Sequence, residues 1–237
     1  MCVGVIGKIS TGCGCIDSYL GDGVNPESIT LIYGEPETGK TTLAIQCAVS
    51  CAKQGYKTLF VDCDNTFSGK RFSQVTSGKF EGIANLILLI KPKDFKEQTA
   101  VVDRISDYIT KNFGLVVIDT FTSLYRARVA ESSEKTFELN RELNRQMAIL
   151  AQTTKIQRMP IIVTSQVRSV LDASYHSIAP VATRVLKFWA NTIIVLKPTE
   201  NPQKIKVVLE KAEENTQEAV CYLRIDETGI HDYPYRQ

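Results

Sequence analysis

Gly34-Glu35-Pro36-Glu37-Thr38-Gly39-Lys40-Thr41 has the spacing GxxxxGK[ST], which suits a loop that wraps phosphate. Its two glycines let the backbone curl until successive N–H groups point inward at phosphate oxygens. The helix that starts at Thr42 adds the partial positive charge of its N-terminus. In such a loop Lys40 reaches the β- and γ-phosphates and the Thr41 hydroxyl binds Mg²⁺. The expected ligands are therefore ATP and Mg²⁺. Gly34, Glu35, Pro36, Glu37, Thr38, Gly39, Lys40, Thr41 and Thr42 form the cradle.

Three further stretches carry polar groups at the ends of apolar runs. Leu115-Val116-Val117-Ile118-Asp119 ends in a carboxylate that would hold a water of the Mg²⁺ shell. Leu59-Phe60-Val61-Asp62-Cys63-Asp64 brings carboxylates beside the loop if the strands are neighbours, placed to orient an attacking water. Val163-Thr164-Ser165-Gln166 ends in an amide that can hydrogen-bond a γ-phosphate and report its presence. Cys13-x-Cys15 and Cys47-x-x-x-Cys51 are spaced like zinc half-sites. No matching Cys/His pair follows, and the histidines are His176 and His231 only. Buried small hydrophobes are the better reading of these cysteines.

These groups need a scaffold. Ile29–Tyr33, Lys57–Val61, Leu86–Ile90, Leu115–Ile118, Ile161–Thr164 and Ile193–Leu196 are apolar runs of strand length. They are continuous rather than alternating, as in strands covered on both faces. Thr42–Lys53, Phe95–Thr110 and Thr136–Thr154 are long enough for crossover helices. In the third, Leu139, Leu143, Met147 and Leu150 share a face while Arg141 and Arg145 occupy another. The alternation predicts a mostly parallel α/β sheet. After residue 192 the runs Ile193–Leu196, Ile205–Leu209 and Val220–Ile225 are joined by short polar links, which predicts an antiparallel extension.

The chain has 237 residues, 43% hydrophobic and 23% charged. These proportions exclude a disordered or collagen-like chain and allow a core without disulfides or metals. Residues 1–237 read as a single domain. The net charge of +2 makes any nucleic-acid surface a local one. Seven irregularly spaced cysteines and no signal peptide favour a reducing, cytoplasmic setting. No apolar run reaches the roughly 18 residues of a membrane span.

The ordered series of motifs resembles the RecA/RadA recombinase family from Ile9 to Asp232. Ile9-Ser10-Thr11-Gly12 and Ile16-Asp17-Ser18-Tyr19-Leu20-Gly21 are similar to the family's leading segment. Val61-Asp62-Cys63-Asp64-Asn65-Thr66-Phe67 resembles its V-D-T-E-G-T-F, and Val117 to Arg126 its V-V-D-S-x-T-A-L-Y-R. Ser165-Gln166-Val167 stands where the family has N-Q-V, and Gly229-Ile230-His231-Asp232 resembles its closing G-I-x-D. The resemblance implies a RecA-like P-loop NTPase core, a mostly parallel central sheet flanked by helices with an antiparallel C-terminal extension. It implies Asp64 as the hydrolytic carboxylate, Gln166 as the γ-phosphate sensor and Arg71 against the adenine.

Departures narrow the expectation. The family's N-terminal helix–hairpin–helix domain has no counterpart in the sequence, and Phe-x-x-Ala, its subunit-docking motif, does not occur. Asp64 replaces a Glu, which displaces the carboxylate by about 1.5 Å, and misplacement on that scale costs about a hundredfold in rate. The family's Pro in the segment capping a neighbour's nucleotide is missing near Gln217. The implied protein is a weak ATPase that assists DNA repair and homologous recombination, as a monomer or small oligomer, with single-stranded or branched DNA and a RadA-type recombinase or other recombination protein as partners. Alternatives are a filament-forming strand-exchange recombinase, a small-molecule P-loop kinase, and a signalling or clock-type relative.

The family's DNA loops fall on Arg126 and Arg128, opening a polar loop over Ala130–Lys135, and on Arg168 and Arg184 with Lys187. Tyr175 and His176 lie between the last groups. Arginines interleaved with aromatic residues suit a groove that tracks a backbone and stacks bases. The alternative is a solvated charged face.

Overall fold

Ile29–Gly34 and Phe113–Asp119 are buried along their whole lengths, as strands apolar on both faces must be. They lie near the middle of a sheet in a computed structural model that describes residues 7–76, 80–172, 175–180, 182–212 and 219–233. In chain order, α1 (Gly14–Tyr19) precedes β1 (Ile29–Gly34), the phosphate-type loop and α2 (Lys40–Lys53). Next come β2 (Lys57–Asp62), α3 (Gly69–Val75), α4 (Phe80–Ala84), β3 (Ile87–Ile90), α5 (Phe95–Asp103) and α6 (Ile105–Tyr108). They are followed by β4 (Phe113–Asp119), α7 (Ser123–Glu131), a 3-10 turn (Ser133–Lys135) and α8 (Thr136–Gln157). The remainder is β5 (Ile161–Asp172), β6 (Tyr175–Pro180), α9 (Thr183–Trp189), β7 (Thr192–Pro198), β8 (Lys204–Lys211), β9 (Ala219–Asp226) and β10 (Gly229–Asp232).

The strand order is β10-β9-β8-β7-β1-β5-β4-β2-β3, with β6 paired to β5 alone. Strands from β3 to β7 run parallel, while β8, β9 and β10 add antiparallel. Both the parallel sheet and its antiparallel extension match expectation. The chain leaves β1 through α2 and returns at β2, three places along, with β5 and β4 between them. The carboxyl ends of β1, β5, β4 and β2 therefore open onto one crevice, where ligands of open α/β sheets bind.

α2 is buried on nearly every side from Thr42 to Ala52. Ala44, Cys47, Ala48, Cys51 and Ala52 are small enough to let sheet and C-terminal strands close over it. Its Gln46 exchanges two hydrogen bonds with the Ile230 backbone of β10, at 2.9 and 2.7 Å. Asp232 of β10 accepts from Gly14 N and Cys15 N, pinning the start of α1. Cys13, Cys47, Cys51, Cys63 and Cys221 are core residues, and burial pushes the Cys51 thiol up to about 11. On α8, Leu143, Met147 and Leu150 are buried and Arg141 and Arg145 exposed, with Arg145 paired to Asp103 and Glu142.

Four local expectations need correcting. Phe95–Thr110 is two helices, broken at Arg104, where β-branched Thr99, Val101, Val102 and Ile105 weaken helical continuity. Arg126 and Arg128 lie on α7 rather than in a loop, and Ala130–Lys135 is a helix end and a 3-10 turn. The strand at Ile161 runs on to Asp172 and turns back as β6, so the second loop region is a β-hairpin. Arg184 and Lys187 lie on α9, not in that loop.

Candidate nucleotide site and its coupling to α7

The crevice is assembled by strand register. Gly34 of β1 stands opposite Gln166 of β5 and Leu196 of β7, and Asp62 of β2 opposite Asp119 of β4. A Cβ on Gly34 would lie 2.2 Å from Leu196 O, so only glycine lets the loop leave the strand this closely. Gly39 precedes α2 with φ 89, the left-handed conformation that frees the helix N-terminus to face the loop. Lys40 Nζ donates to the loop's own Glu35 O at 2.6 Å. Burial lowers its pKa, against the opposing pull of Asp119, Asp64 and Glu35. Glu37, Gly39, Lys40, Thr41, Thr42, Arg71 and Ile225 line a cleft of about 240 Å³.

Asp119 is fully buried. Its Oδ2 accepts from Thr41 Oγ1 at 2.7 Å and Thr66 Oγ1 at 3.4 Å, and its Oδ1 from Thr164 Oγ1 at 2.6 Å. These partners are hydroxyls, and among the described residues no cation pairs with the carboxylate. Burial raises its pKa, with the Thr164 and Thr41 bonds opposing. A buried carboxylate with no close ion pair among the described residues, 2.7 Å from a threonine hydroxyl, is a donor set of hard oxygens that fits Mg²⁺. The next residue, Thr120, has φ 54, costly for a β-branched side chain. Its N–H is held by Thr164 Oγ1 at 2.6 Å.

Geometry separates the two carboxylates that end β2. Asp62 is structural: it accepts from Thr66 N and Phe67 N, each at 3.0 Å, and Lys91 Nζ lies 3.5 Å away. It thereby folds the turn that presents Asp64. Asn65 follows with φ 55, a left-handed position that asparagine tolerates where the family has glycine. Asp64 Oδ2 receives Gln166 Nε2 at 3.2 Å, and Oδ1 receives Ser123 Oγ at 2.5 Å. Arg126 in turn donates to Gln166 Oε1. Asp64, Gln166 and Arg126 thus form one chain of contacts from the crevice to α7.

Arg71 lines the cleft, donating to Thr42 Oγ1 at 3.2 Å and to Asp226 O and Glu227 O at 2.9 and 3.0 Å. It joins the loop helix to the β9–β10 turn. Arg128 pairs with Glu131 at 2.9 Å, Arg184 is exposed, and Lys187 pairs with Glu210 at 2.5 Å. The side chains of Arg168, Tyr175 and His176, and all of Gln217, lie outside the described residues. Sequence reasoning missed Ser123, Thr164 and Thr66. Thr164 carried a signal, a hydroxyl in the strand end beside Asp119, and Ser123 a weaker one, a serine where the family pattern has Ala.

A family model described as Rad51 matches residues 4–233. The DNA repair and recombination protein RadB of Thermococcus gammatolerans is 34% identical over 227 residues, covering 94% of this chain and 98% of the relative. RadB of Methanothermobacter thermautotrophicus is 31% identical over 220 residues, covering 91% and 92%. A solved structure described as that of the RadB recombinase superposes with a TM-score of 0.81 at 32% identity, covering 95% of this chain and 99% of the other. The phosphate-type loop, the strand-end carboxylates and these likenesses agree, and the chain belongs to the Rad51 family, in its RadB group of DNA repair and recombination proteins.

Proposed function

We propose that this chain binds ATP with Mg²⁺ at the carboxyl ends of β1, β5, β4 and β2, hydrolyses it slowly, and uses the nucleotide state to set its affinity for DNA. Gly34 to Thr42 would cradle the phosphates, with Lys40 on the β- and γ-phosphates and Arg71 on the adenine side of the cleft. Thr41 and Asp119 would hold Mg²⁺, which when bound neutralises charge on the phosphate oxygens. Asp64 would take the proton of the attacking water. The side chain is short for this, which makes turnover slow.

The observation that carries the reading is the position of Gln166, between Asp64 and Arg126. A γ-phosphate that draws the Gln166 amide toward itself loosens its hold on Arg126 and frees that guanidinium for a DNA phosphate. A ligand shifts such an arrangement only by binding its two forms differently, and the γ-phosphate supplies the difference between ATP and ADP. Arg128, Arg168 and Arg184 complete the proposed DNA contacts. Binding of labelled single-stranded DNA with Mg·ATP and with Mg·ADP tests the reading. ATP tightens binding if it is right, and equal affinity in both refutes it.

The chain would act in the cytoplasm, at the nucleoid, as one RecA-like ATPase domain and as a monomer or small oligomer. Long filaments under the electron microscope with ATP and DNA would instead favour a strand-exchange recombinase. A RadA-type recombinase or another recombination protein would be its partner. Support for a protein partner comes from β3, an edge strand whose Leu88 and Leu89 are exposed.

A further inference from the structure

Two departures from the family pattern touch each other. Asp64 stands where V-D-T-E-G-T-F has Glu, and Ser123 stands where V-V-D-S-x-T-A-L-Y-R has Ala. They are 59 residues apart in the chain, yet Ser123 Oγ donates to Asp64 Oδ1 at 2.5 Å. We infer that Ser123 is a positioning residue for the hydrolytic carboxylate, its hydroxyl supplying from α7 the fixed orientation that this shorter side chain needs.

The hydroxyl projects from a fixed point. Ser123 is the first residue of α7, and its own N–H is held by Thr120 O at 2.9 Å. A hydroxyl this close to a carboxylate lies at the short, strong end of charge-assisted bonds. The other oxygen, Oδ2, has only the longer bond from Gln166 Nε2 at 3.2 Å. When Gln166 turns to a γ-phosphate, Oδ2 opens to water while Oδ1 stays tethered. Ser123 keeps its proton throughout. Oδ2 takes one proton from the water, whose oxygen bonds the γ-phosphorus as the bond to the β–γ bridging oxygen breaks, leaving ADP and phosphate. Without the tether Asp64 turns freely about two side-chain bonds, and the water loses its aligned acceptor. In the family pattern the longer Glu is accompanied by an Ala at the position of Ser123, which has no hydroxyl to donate.

The inference rests on the ATPase reading, and its test separates the two. Single-turnover hydrolysis is followed with the intact chain in excess over labelled ATP, and ATP affinity is measured separately by calorimetry. Ser123→Ala slows the chemical step about ten- to a hundredfold, as misplacement by about 1 Å does, while ATP affinity stays put. Ser123→Thr, which keeps the hydroxyl, recovers most of that loss. Asp64→Glu raises the rate, and adding Ser123→Ala to it costs almost nothing, because contacting groups couple rather than add. Parent-like hydrolysis by Ser123→Ala overturns the inference. So does an equal loss from Ser123→Ala in both backgrounds, a parallel loss of ATP affinity, or no recovery with Thr. Absence of hydrolysis by the parent chain with ATP bound overturns the ATPase reading itself, and the inference falls with it.

Discussion

Replacing Thr164 by Val and Thr30 by Val makes one chemical change at two buried positions two registers apart on adjacent strands, β5 and β1. The two substitutions should move stability in opposite directions. Thr164 Oγ1 donates to Asp119 Oδ1 and accepts from Thr120 N, both at 2.6 Å. Losing a bond to a charged group costs about 1.5–3 kcal/mol, and orphaning a buried N–H about 1–3 kcal/mol more. The sum is about 3–5 kcal/mol, taking the middle of both ranges, and it falls beside the left-handed Thr120. At about 2–4 °C per kcal/mol for a chain of this size, Tm drops by roughly 6–20 °C. Thr30 Oγ1, by contrast, is buried with no hydrogen-bond partner among the described residues, so Val there removes an uncompensated desolvation and raises Tm by about 2–4 °C. Scanning calorimetry on the nucleotide-free chain reads both shifts. Thr164→Val should also weaken Mg²⁺-dependent ATP binding more than Mg²⁺-free binding, since Asp119 loses its orientation toward Thr41. Shifts of the same sign, or a Thr164→Val change under about 2 °C, would refute the assignment of Thr164 as the brace of this carboxylate.

Lys40→Ala should abolish ATP binding in calorimetry while the circular dichroism spectrum is retained. Burial lowers the Lys40 pKa in the folded state, so the unfolded chain binds its proton more tightly, and stability gains a component that rises with pH between the folded and unfolded values. Lys40→Ala should remove that component from the pH dependence of urea unfolding, and an unchanged slope would count against a buried lysine. With about four phosphate contacts on single-stranded DNA, log K should fall with log salt at a slope near about −3. Arg168→Ala with Arg184→Ala should lower its magnitude by about one to two units without changing ATP affinity. An unchanged slope would place DNA elsewhere.

The strands were legible because Ile29–Tyr33, Leu115–Ile118 and Ile193–Leu196 are covered on both faces and must be apolar throughout. The phosphate-type loop and Asp119 were legible because their spacing and strand-end position follow directly from what phosphate and a divalent cation require. α7 escaped notice because Tyr125 is its one buried residue, so it carries no 3.6-residue stripe. With it went the true setting of Arg126 and Arg128. The hairpin of β5 and β6 lacks an apolar signature because β6 pairs with β5 alone, off the main sheet. Ser123 escaped for another reason. Its departure from the family's Ala is legible, but its role exists only across a contact with Asp64, 59 residues away in the chain.

The bidentate grip of Gln46 on Ile230, and of Asp232 on the start of α1, joins the first third of the molecule to its last strand. A ribosome releases Gln46 and Ile230 184 residues apart. Until β10 has left the exit tunnel, the helix behind the phosphate-type loop has an open polar flank, with a buried-type glutamine facing water rather than a strand. A nascent chain cannot complete this site early, and a chain cut short before Ile230 cannot complete it at all. The emergence of β10 thus sets the moment at which this site can be completed, and chaperone engagement with unfinished chains should end only after it.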